Sequence, residues 1–205
     1  LNTRWLAHIV RHRQALGLEA VRINFAPTQH DPLAQLAGPF TLHFTADRRI
    51  WECYGERETG ASVFTLPAVE DEICRSGLQS DRPLQWVLQP ILARGNSPKP
   101  EPALLPAGKY RLRLYLIDPA STAAGQRVFS VSVDGAVVAD RVDIFAESGG
   151  AGRPVNRVWP VTLDRPGSIA VTLTPVEGKA VVCGAELEPV ESNSVAPSVV
   201  PRSAR

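Results

Sequence analysis

The sequence predicts an all-β domain, a sandwich or barrel of short strands. The chain has 205 residues, enough for one domain of ordinary size, and its 44% of hydrophobic residues can fill a core. Its 18 prolines disfavour helices, because proline lacks the backbone donor that a helix interior needs. Segments with apolar residues at every second position recur at roughly 10-residue spacing, with turn signals between them, which is typical of sandwiches and barrels.

The clearest strand signals lie in the second half of the chain. Every second residue of Lys109–Ile117 is apolar, which predicts a strand with one buried face. The dipeptide Asp134-Gly135 lies between two apolar runs and predicts a tight hairpin between strands Arg127–Val133 and Ala136–Asp140. The same patterns predict further strands at Val155–Leu163, Ser168–Pro175 and Ala180–Pro189.

The first half gives weaker strand signals and one helical pattern. Leu1–Leu18 has apolar residues at helical spacing, so we expect residues 1–20 to form an N-terminal helix or linker. Residues 21–190 then form the sandwich, and the Ser- and Pro-rich residues 191–205 form a disordered tail or linker. Within the sandwich the early strands are predicted at Val21–Phe25, Phe40–Thr45, Ile50–Tyr54, Val63–Leu66 and Gln85–Ile91.

Charge and hydropathy limit the kinds of partner that the chain is expected to bind. With 22 Lys and Arg against 21 Asp and Glu, the net charge is +1, and we expect no nucleic-acid partner. No apolar run is long enough to span a bilayer, so we expect no direct membrane span in this chain. The chain has no Met, which suggests a processed piece of a longer product.

Motifs for enzymatic or metal chemistry are not found in the sequence. There is no nucleophile elbow, phosphate-binding loop, dinucleotide fingerprint or zinc-protease helix, so we expect no catalysis, no cofactor and no metal. The three cysteines, Cys53, Cys74 and Cys183, lack zinc-site spacing. Cys53 and Cys74 are candidates for a disulfide in an oxidising compartment, and three free or buried thiols are the alternative.

Aromatic residues that are expected to be exposed suggest a sugar-binding site. Sugars present flat apolar faces, and aromatic rings with a few directional polar groups bind such faces. Trp51 and Tyr54 lie in a loop-like segment just before Gly55, where Trp51 is either a sugar platform or a lid on the core. Trp86 and Trp159 fall inside strand patterns and are expected in the core.

Several segments resemble the malectin and malectin-like family. The segments that carry the resemblance are Gly108–Leu114 (GKYRLRL), Gly125–Val131 (GQRVFSV), Val142–Gly150 (VDIFAESGG) and Val182–Ala185 (VCGA). They are similar to the family's "G-x-Y-x-V-x-L" and "G-x-R-V-F-D-V" strands, its "D-I-F/A" segment and its last core strand. Earlier segments similar to family motifs are Val21–Asn24, Asp47–Trp51 and Arg94–Asn96.

The resemblance implies a jelly-roll-like antiparallel β-sandwich with a carbohydrate-binding ancestry. In the lectin of that family, sugar stacks on loop aromatics and contacts an aspartate before the last strand. By position, the resemblance implies that Arg94, Asn96 and Glu177 bind sugar hydroxyls. Trp51 and Tyr54 are then the stacking residues. Members of the family include secretory-pathway lectins and receptor ectodomains, which implies an extracytoplasmic location: periplasmic, cell-surface or secreted.

Two functions follow from these observations. The first is a non-catalytic carbohydrate-binding module of a larger extracytoplasmic protein, with a glycan or cell-envelope polysaccharide as its partner. The second is a protein–protein interaction or scaffold sandwich that has lost the sugar site and contacts other domains or subunits. The second is favoured by a departure from the family pattern, because Ser97–Pro100 (SPKP) replaces the aromatic segment after Arg94.

Overall fold

The structure is a computed structural model. It describes residues 20–25, 41–44, 50–54, 61–89, 91–92, 101–102 and 104–190. In 41–44, 50–54, 91–92 and 101–102 only the backbone is described. The expected N-terminal helix, the expected C-terminal tail and the loop with Arg94 and Asn96 lie outside the described residues.

The described chain is built mainly of β-strands. The strands are β1 (Val21–Phe25), β2 (Thr41–Phe44), β3 (Ile50–Tyr54), β4 (Ser62–Thr65), β5 (Ser76–Ser80), β6 (Leu84–Leu88), β7 (Ile91–Leu92), β8 (Glu101–Pro102), β9 (Gly108–Ile117), β10 (Val128–Val133), β11 (Ala136–Asp143), β12 (Pro154–Leu163), β13 (Ile169–Glu177), β14 (Ala180–Val182) and β15 (Gly184–Pro189). A 3₁₀ turn at Ile73–Arg75 precedes β5, and a short helix, α1 (Ile144–Ser148), follows β11.

The strands form two main sheets that enclose the core. The larger sheet has the order β12-β9-β15-β1-β3-β2, and the smaller has the order β11-β10-β13-β6. Neighbouring strands in these sheets are antiparallel, except for the parallel pair β1 and β3. A three-stranded sheet, β14-β5-β4, and the pair β7-β8 complete the described strands. The predicted all-β sandwich is confirmed.

Side chains from both main sheets meet in one hydrophobic cluster. Leu112 and Leu114 of β9 and Phe129 of β10 are fully buried in it. Phe25 of β1 and Trp86 of β6 pack edge to face, with ring centroids 4.9 Å apart, and so join the two sheets directly. The predicted core position of Trp86 is confirmed, and Trp159 packs against the core from β12.

The Asp134-Gly135 hairpin is confirmed. Asp134 has φ +48° and Gly135 has φ +82°, both in the left-handed region that a two-residue hairpin turn requires. The Asp134 carboxylate also accepts a hydrogen bond from the backbone N–H of Ala170, at 2.7 Å. The return strand β11 continues to Asp143, past the predicted end at Asp140, because its pairing with β10 reaches Val128.

Two features of the strands differ from the sequence prediction. The predicted strand Ala180–Pro189 is broken at Cys183 into β14 and β15, which belong to different sheets. Strand β5 was not predicted, because Ser76 and Gly77 resemble turn residues and the strand is specified by its neighbours β4 and β14.

Gly178, in the turn between β13 and β14, supplies a test of the fold. It has φ +62°, and a Cβ placed there would lie 2.4 Å from the backbone oxygen of Gln126. We expect Gly178→Ala to lower the free energy of unfolding by roughly 2–4 kcal/mol, since it combines left-handed strain with a backbone clash. Urea denaturation measures the loss.

Gly125→Ala is the matched control. Gly125 has φ +83° but nothing lies within 4 Å of an added Cβ, so only the conformational strain of about 1 kcal/mol is expected. Equal losses for the two variants would contradict the tight approach of Gly178 to Gln126.

Candidate functional site

The termini of several strands define one end of the sandwich, here called the Asp118 end. In the six-stranded sheet β9 ends there at Ile117, directly before Asp118. Pro154 at the start of β12 pairs with Ile117, and Gly184 at the start of β15 pairs with Tyr115. Because β15 is antiparallel to β1 and β3 is parallel to β1, the C-terminal ends of β1 and β3 lie at the same edge.

Three of the predicted site residues have a described backbone. Tyr54 is the last residue of β3 and pairs with Phe25, which places its backbone at the Asp118 end. Trp51 lies earlier in β3, opposite His43, so the loop-like interpretation of this segment was wrong and both aromatic residues belong to a paired strand. Glu177 is the last residue of β13, where its side chain is exposed and its backbone pairs with Val128 of β10.

A buried polar cluster forms the floor of this end. The side chain of Asp118 is fully buried, and its Oδ1 accepts hydrogen bonds from the backbone N–H groups of Ala120, at 3.1 Å, and Ser121, at 3.0 Å. Arg127 Nε lies 3.4 Å from the same oxygen. Arg127 Nη1 donates to Gln79 Oε1 at 3.0 Å. Together Asp118, Arg127 and Gln79 are called the end cluster.

Electrostatics hold the end cluster together. Burial lowers the pKa of Arg127, and the nearby charge of Asp118 acts in the opposite direction and favours the charged guanidinium. Among the described atoms, Asp118 Oδ2 and Arg127 Nε are buried without a hydrogen-bond partner. Removing either member of such a pair leaves the other charge uncompensated in a poorly solvated site, which is strongly destabilising.

The family-like motifs build the loops around the end cluster. Asp143 accepts from the backbone N–H of Ala146 at 3.0 Å and caps α1, while its other oxygen accepts from the N–H of Gly125 at 2.6 Å. Gly149 ends α1 with φ +74°. The motif residues Gly125 and Asp143 therefore position the loop 122–126 and the helix.

Glu147 is held by an ion pair on this surface. Its Oε2 accepts from Arg157 Nε at 2.9 Å, and its other oxygen accepts from Arg157 Nη2. This hydrogen bonding raises the pKa of Arg157. The Glu147 carboxylate is therefore paired with Arg157 of β12.

An open cleft of about 640 Å³ lies beside the end cluster. Residues 66–71 form one wall and Gly152–Pro154 the other. The N–H of Gly152 donates to the backbone oxygen of Asp118 at 2.8 Å, which fixes the cleft at the Asp118 end. Glu70 and Arg153 supply charged groups to its lining, whereas Asp71 caps the 3₁₀ turn through the N–H of Ile73, at 3.0 Å.

A second buried carboxylate lies on the six-stranded sheet and has a structural role. Glu186 of β15 is fully buried and accepts hydrogen bonds from Arg22 of β1 and, at 3.1 Å, from the hydroxyl of Tyr115 in β9. Arg113 Nε lies 3.7 Å from it. Because these residues belong to three adjacent strands, the contacts fix the register of β1, β15 and β9.

Sequence reasoning missed the end cluster. Arg127 was quoted as part of a motif, but its partners Asp118 and Gln79 come from separate strands, and nothing in a single sequence pairs them. The signal that could have indicated the end cluster is the position of Asp118, a carboxylate that directly follows β9, the most regular strand pattern of the sequence. Among the described residues, no group of three His, Cys, Asp or Glu side chains could hold a metal ion.

Residues 101–184 match a family model, and that model is the malectin domain. The resemblance seen in the sequence is confirmed. The malectin match begins at β8 and ends at the first residue of β15, so it includes Asp118, Arg127 and Glu177 but not Gln79. Among curated proteins, no sequence matches the chain.

Solved structures with the same fold are distant in sequence. The plant receptor-like kinase FER has a TM-score of 0.62 at 15% identity, over 86% of this chain and 50% of that one. The ANX2 ectodomain from Arabidopsis thaliana has a TM-score of 0.60 at 14% identity, over 86% of this chain and 51% of that one. The third structure is β-glucuronidase 2 of Bacteroides uniformis, covalently bound to cyclophellitol-6-carboxylate aziridine. It has a TM-score of 0.56 at 14% identity, over 84% of this chain and 18% of that one.

These likenesses establish a malectin-like fold. The chain spans about half of the receptor chains and about a fifth of the glucuronidase. In the described part of the chain, no helix is both long and apolar enough to cross a lipid bilayer.

The end cluster gives a test of what holds this end together. We expect Asp118→Asn to lower the free energy of unfolding by roughly 3 kcal/mol, because it leaves the largely buried Arg127 charge without its counter-ion. Arg111→Gln is the control, since Arg111 is 53% exposed where it pairs with Glu188 and an exposed pair contributes about 0.5 kcal/mol or less. Urea denaturation that shows equal losses would contradict a stabilising role for the cluster.

Proposed function

We propose that the chain is a non-catalytic carbohydrate-binding module of a larger extracytoplasmic protein. The supporting observation is that the backbone brings the ends of β3 and β13, with Tyr54 and Glu177, to the end of the sandwich that holds the end cluster and the open cleft. The malectin-domain match gives independent support for a fold of this kind.

The proposed site combines stacking with directional hydrogen bonds. Tyr54 and Trp51 stack on a sugar ring, because aromatic faces complement the apolar C–H face of a pyranose. Arg94, Asn96 and Glu177 bind hydroxyl groups. Glu177 is suited to this role because its side chain is exposed at a strand end, where a carboxylate can accept hydrogen bonds from two neighbouring hydroxyls.

The end cluster contributes rigidity to this proposed site. Asp118 fixes the start of the 118–127 loop through two backbone hydrogen bonds, and Arg127 ties the end of that loop to β5 through Gln79. A preorganised floor lowers the entropic cost of ordering the site when sugar binds. The site is nevertheless open to water, so we expect weak affinity for a single sugar.

The proposed partner is a glycan or cell-envelope polysaccharide. The likeness to receptor ectodomains supports an extracytoplasmic location, and the small share of each longer relative that is covered supports a module within a larger protein. Repeated sugars along a polysaccharide compensate for a weak single site, because several modules or sites then act together.

Calorimetric titration with a panel of gluco-oligosaccharides and cell-envelope polysaccharides tests the proposal. We expect saturable binding to at least one, with Tyr54→Ala weakening it about tenfold through lost stacking, and Glu177→Gln weakening it several-fold through a lost charge-assisted hydrogen bond.

Asp164→Asn is the matched control for Glu177→Gln. Asp164 is also an exposed carboxylate, but it follows β12 at the opposite end of the sandwich, where Leu163 pairs with Gly108. Its replacement should leave affinity unchanged. Loss of binding in this control, or no binding of the wild-type protein to any member of the panel, would contradict the proposal.

One observation favours the second candidate, an interaction or scaffold domain. An uncharged row of side chains crosses the outer surface of the four-stranded sheet. In adjacent strands Val137 pairs with Ser132, Ser132 with Thr172, and Thr172 with Gln85, and Val137 is 63% exposed. Charged residues are depleted from the centres of protein interfaces, so this surface suits contact with another folded domain. A wild-type protein that binds no glycan would favour this candidate.

A further inference from the structure

Cys74 and Cys183 lie side by side in the core although they are far apart in the sequence. Cys74 belongs to the 3₁₀ turn before β5, and Cys183 is the residue between β14 and β15. Both are fully buried free thiols. The Cys183 thiol lies close enough to that of Cys74 to raise its pKa.

Strand β9 and the neighbouring sheet hold the two cysteines in place. Cys74 Sγ lies 4.0 Å from the backbone oxygen of Leu116, and the N–H of Cys183 donates to the oxygen of Tyr115, at 2.9 Å. Since Leu116 and Tyr115 are adjacent in β9, both cysteines are fixed against the same short stretch of one strand. Val182, directly before Cys183, also pairs with Leu78 of β5, the strand that follows the Cys74 turn.

We propose that Cys74 and Cys183 form a disulfide when the protein folds in an oxidising compartment, which rests on the extracytoplasmic location proposed above. Because both cysteines are fixed against Tyr115 and Leu116 of β9, rotation about their side-chain bonds can bring the two sulfur atoms to bonding distance. The bond joins the turn before β5 to the point where the chain passes from the three-stranded to the six-stranded sheet.

The oxidation requires a disulfide acceptor, either oxidised glutathione or a thiol–disulfide oxidoreductase. The thiolate of one cysteine attacks the acceptor disulfide and releases one acceptor thiol. The second thiolate then attacks the mixed disulfide and releases the other. One S–S bond forms in the protein, and the acceptor is reduced by two electrons and takes up the two protons.

The burial of the two thiols determines when the disulfide can form. The hydrogen bond with Cys183, followed by burial, raises the pKa of the Cys74 thiol, so the folded protein holds it in the unreactive neutral form. A large acceptor also cannot reach a fully buried sulfur. The bond therefore forms while the chain is folding, and it is protected from reductants once the core has closed.

Refolding in a glutathione redox buffer, followed by alkylation under denaturing conditions and peptide mapping, tests the proposal. We expect the protein to be two hydrogens lighter than its reduced form, with alkylation at Cys53 alone and a linked Cys74–Cys183 peptide. Because the closed loop is on the order of 100 residues, protein refolded with excess reductant should melt roughly 10 °C lower.

Two variants make the result specific. Cys53→Ser should keep the disulfide. A Cys53–Cys74 disulfide could not form in this variant, so the result distinguishes the two pairings. Cys183→Ala should lose the bond and show no effect of reductant on its melting temperature. Alkylation of all three thiols in the wild-type protein, or a linked peptide that contains Cys53, overturns the proposal, and the wild-type map decides even where Cys183→Ala does not fold.

This experiment is independent of the proposed function. It uses no sugar, and the redox buffer replaces the compartment. A protein that binds no glycan, or that is found inside the cell, can still give the linked peptide, and a sugar-binding protein can still show three free thiols.

Discussion

The contact between Asp118 and Arg127 joins parts of the fold that no strand pairing connects. Asp118 directly follows β9 of the six-stranded sheet, Arg127 precedes β10 of the four-stranded sheet, and Gln79 belongs to β5 of the three-stranded sheet. Apolar contacts between sheets tolerate small sliding movements. The buried ion pair limits such movements at this end, together with the hydrogen bonds that Asp118 accepts from its own loop and that Arg127 donates to Gln79.

The regular parts of the fold were readable from the sequence because their signals are local. Lys109–Ile117 alternates because β9 has one face in the core, and Asp134-Gly135 specifies its own turn. Strand β5 and the break at Cys183 depend instead on residues distant in the sequence. Strand β5 is held between β4 and β14, and at Cys183 the chain passes from the three-stranded to the six-stranded sheet. Such tertiary constraints leave no periodic pattern in the chain.

The same reasoning explains which residues at the Asp118 end the sequence could indicate. Glu177 was identified through a family-like position, and the structure places it exposed at a strand end. Asp118 and Gln79 were missed, since their role depends on contact with Arg127 across separate sheets. The sequence left Cys53 and Cys74 as candidates for a disulfide, whereas the folded chain places Cys183 near Cys74.

The family match and the proposed sugar contacts fall largely on different parts of the chain. Residues 101–184 include Glu177 and two members of the end cluster, but Trp51, Tyr54, Arg94 and Asn96 precede them. The matched part contains β9, β10 and β13, and it therefore supplies most of the core and the floor of the Asp118 end. The proposed stacking and hydroxyl-binding residues other than Glu177 come from the part of the chain before this match. Because surface substitutions away from a core usually change stability little, a sandwich of this kind can change or lose a surface ligand without unfolding.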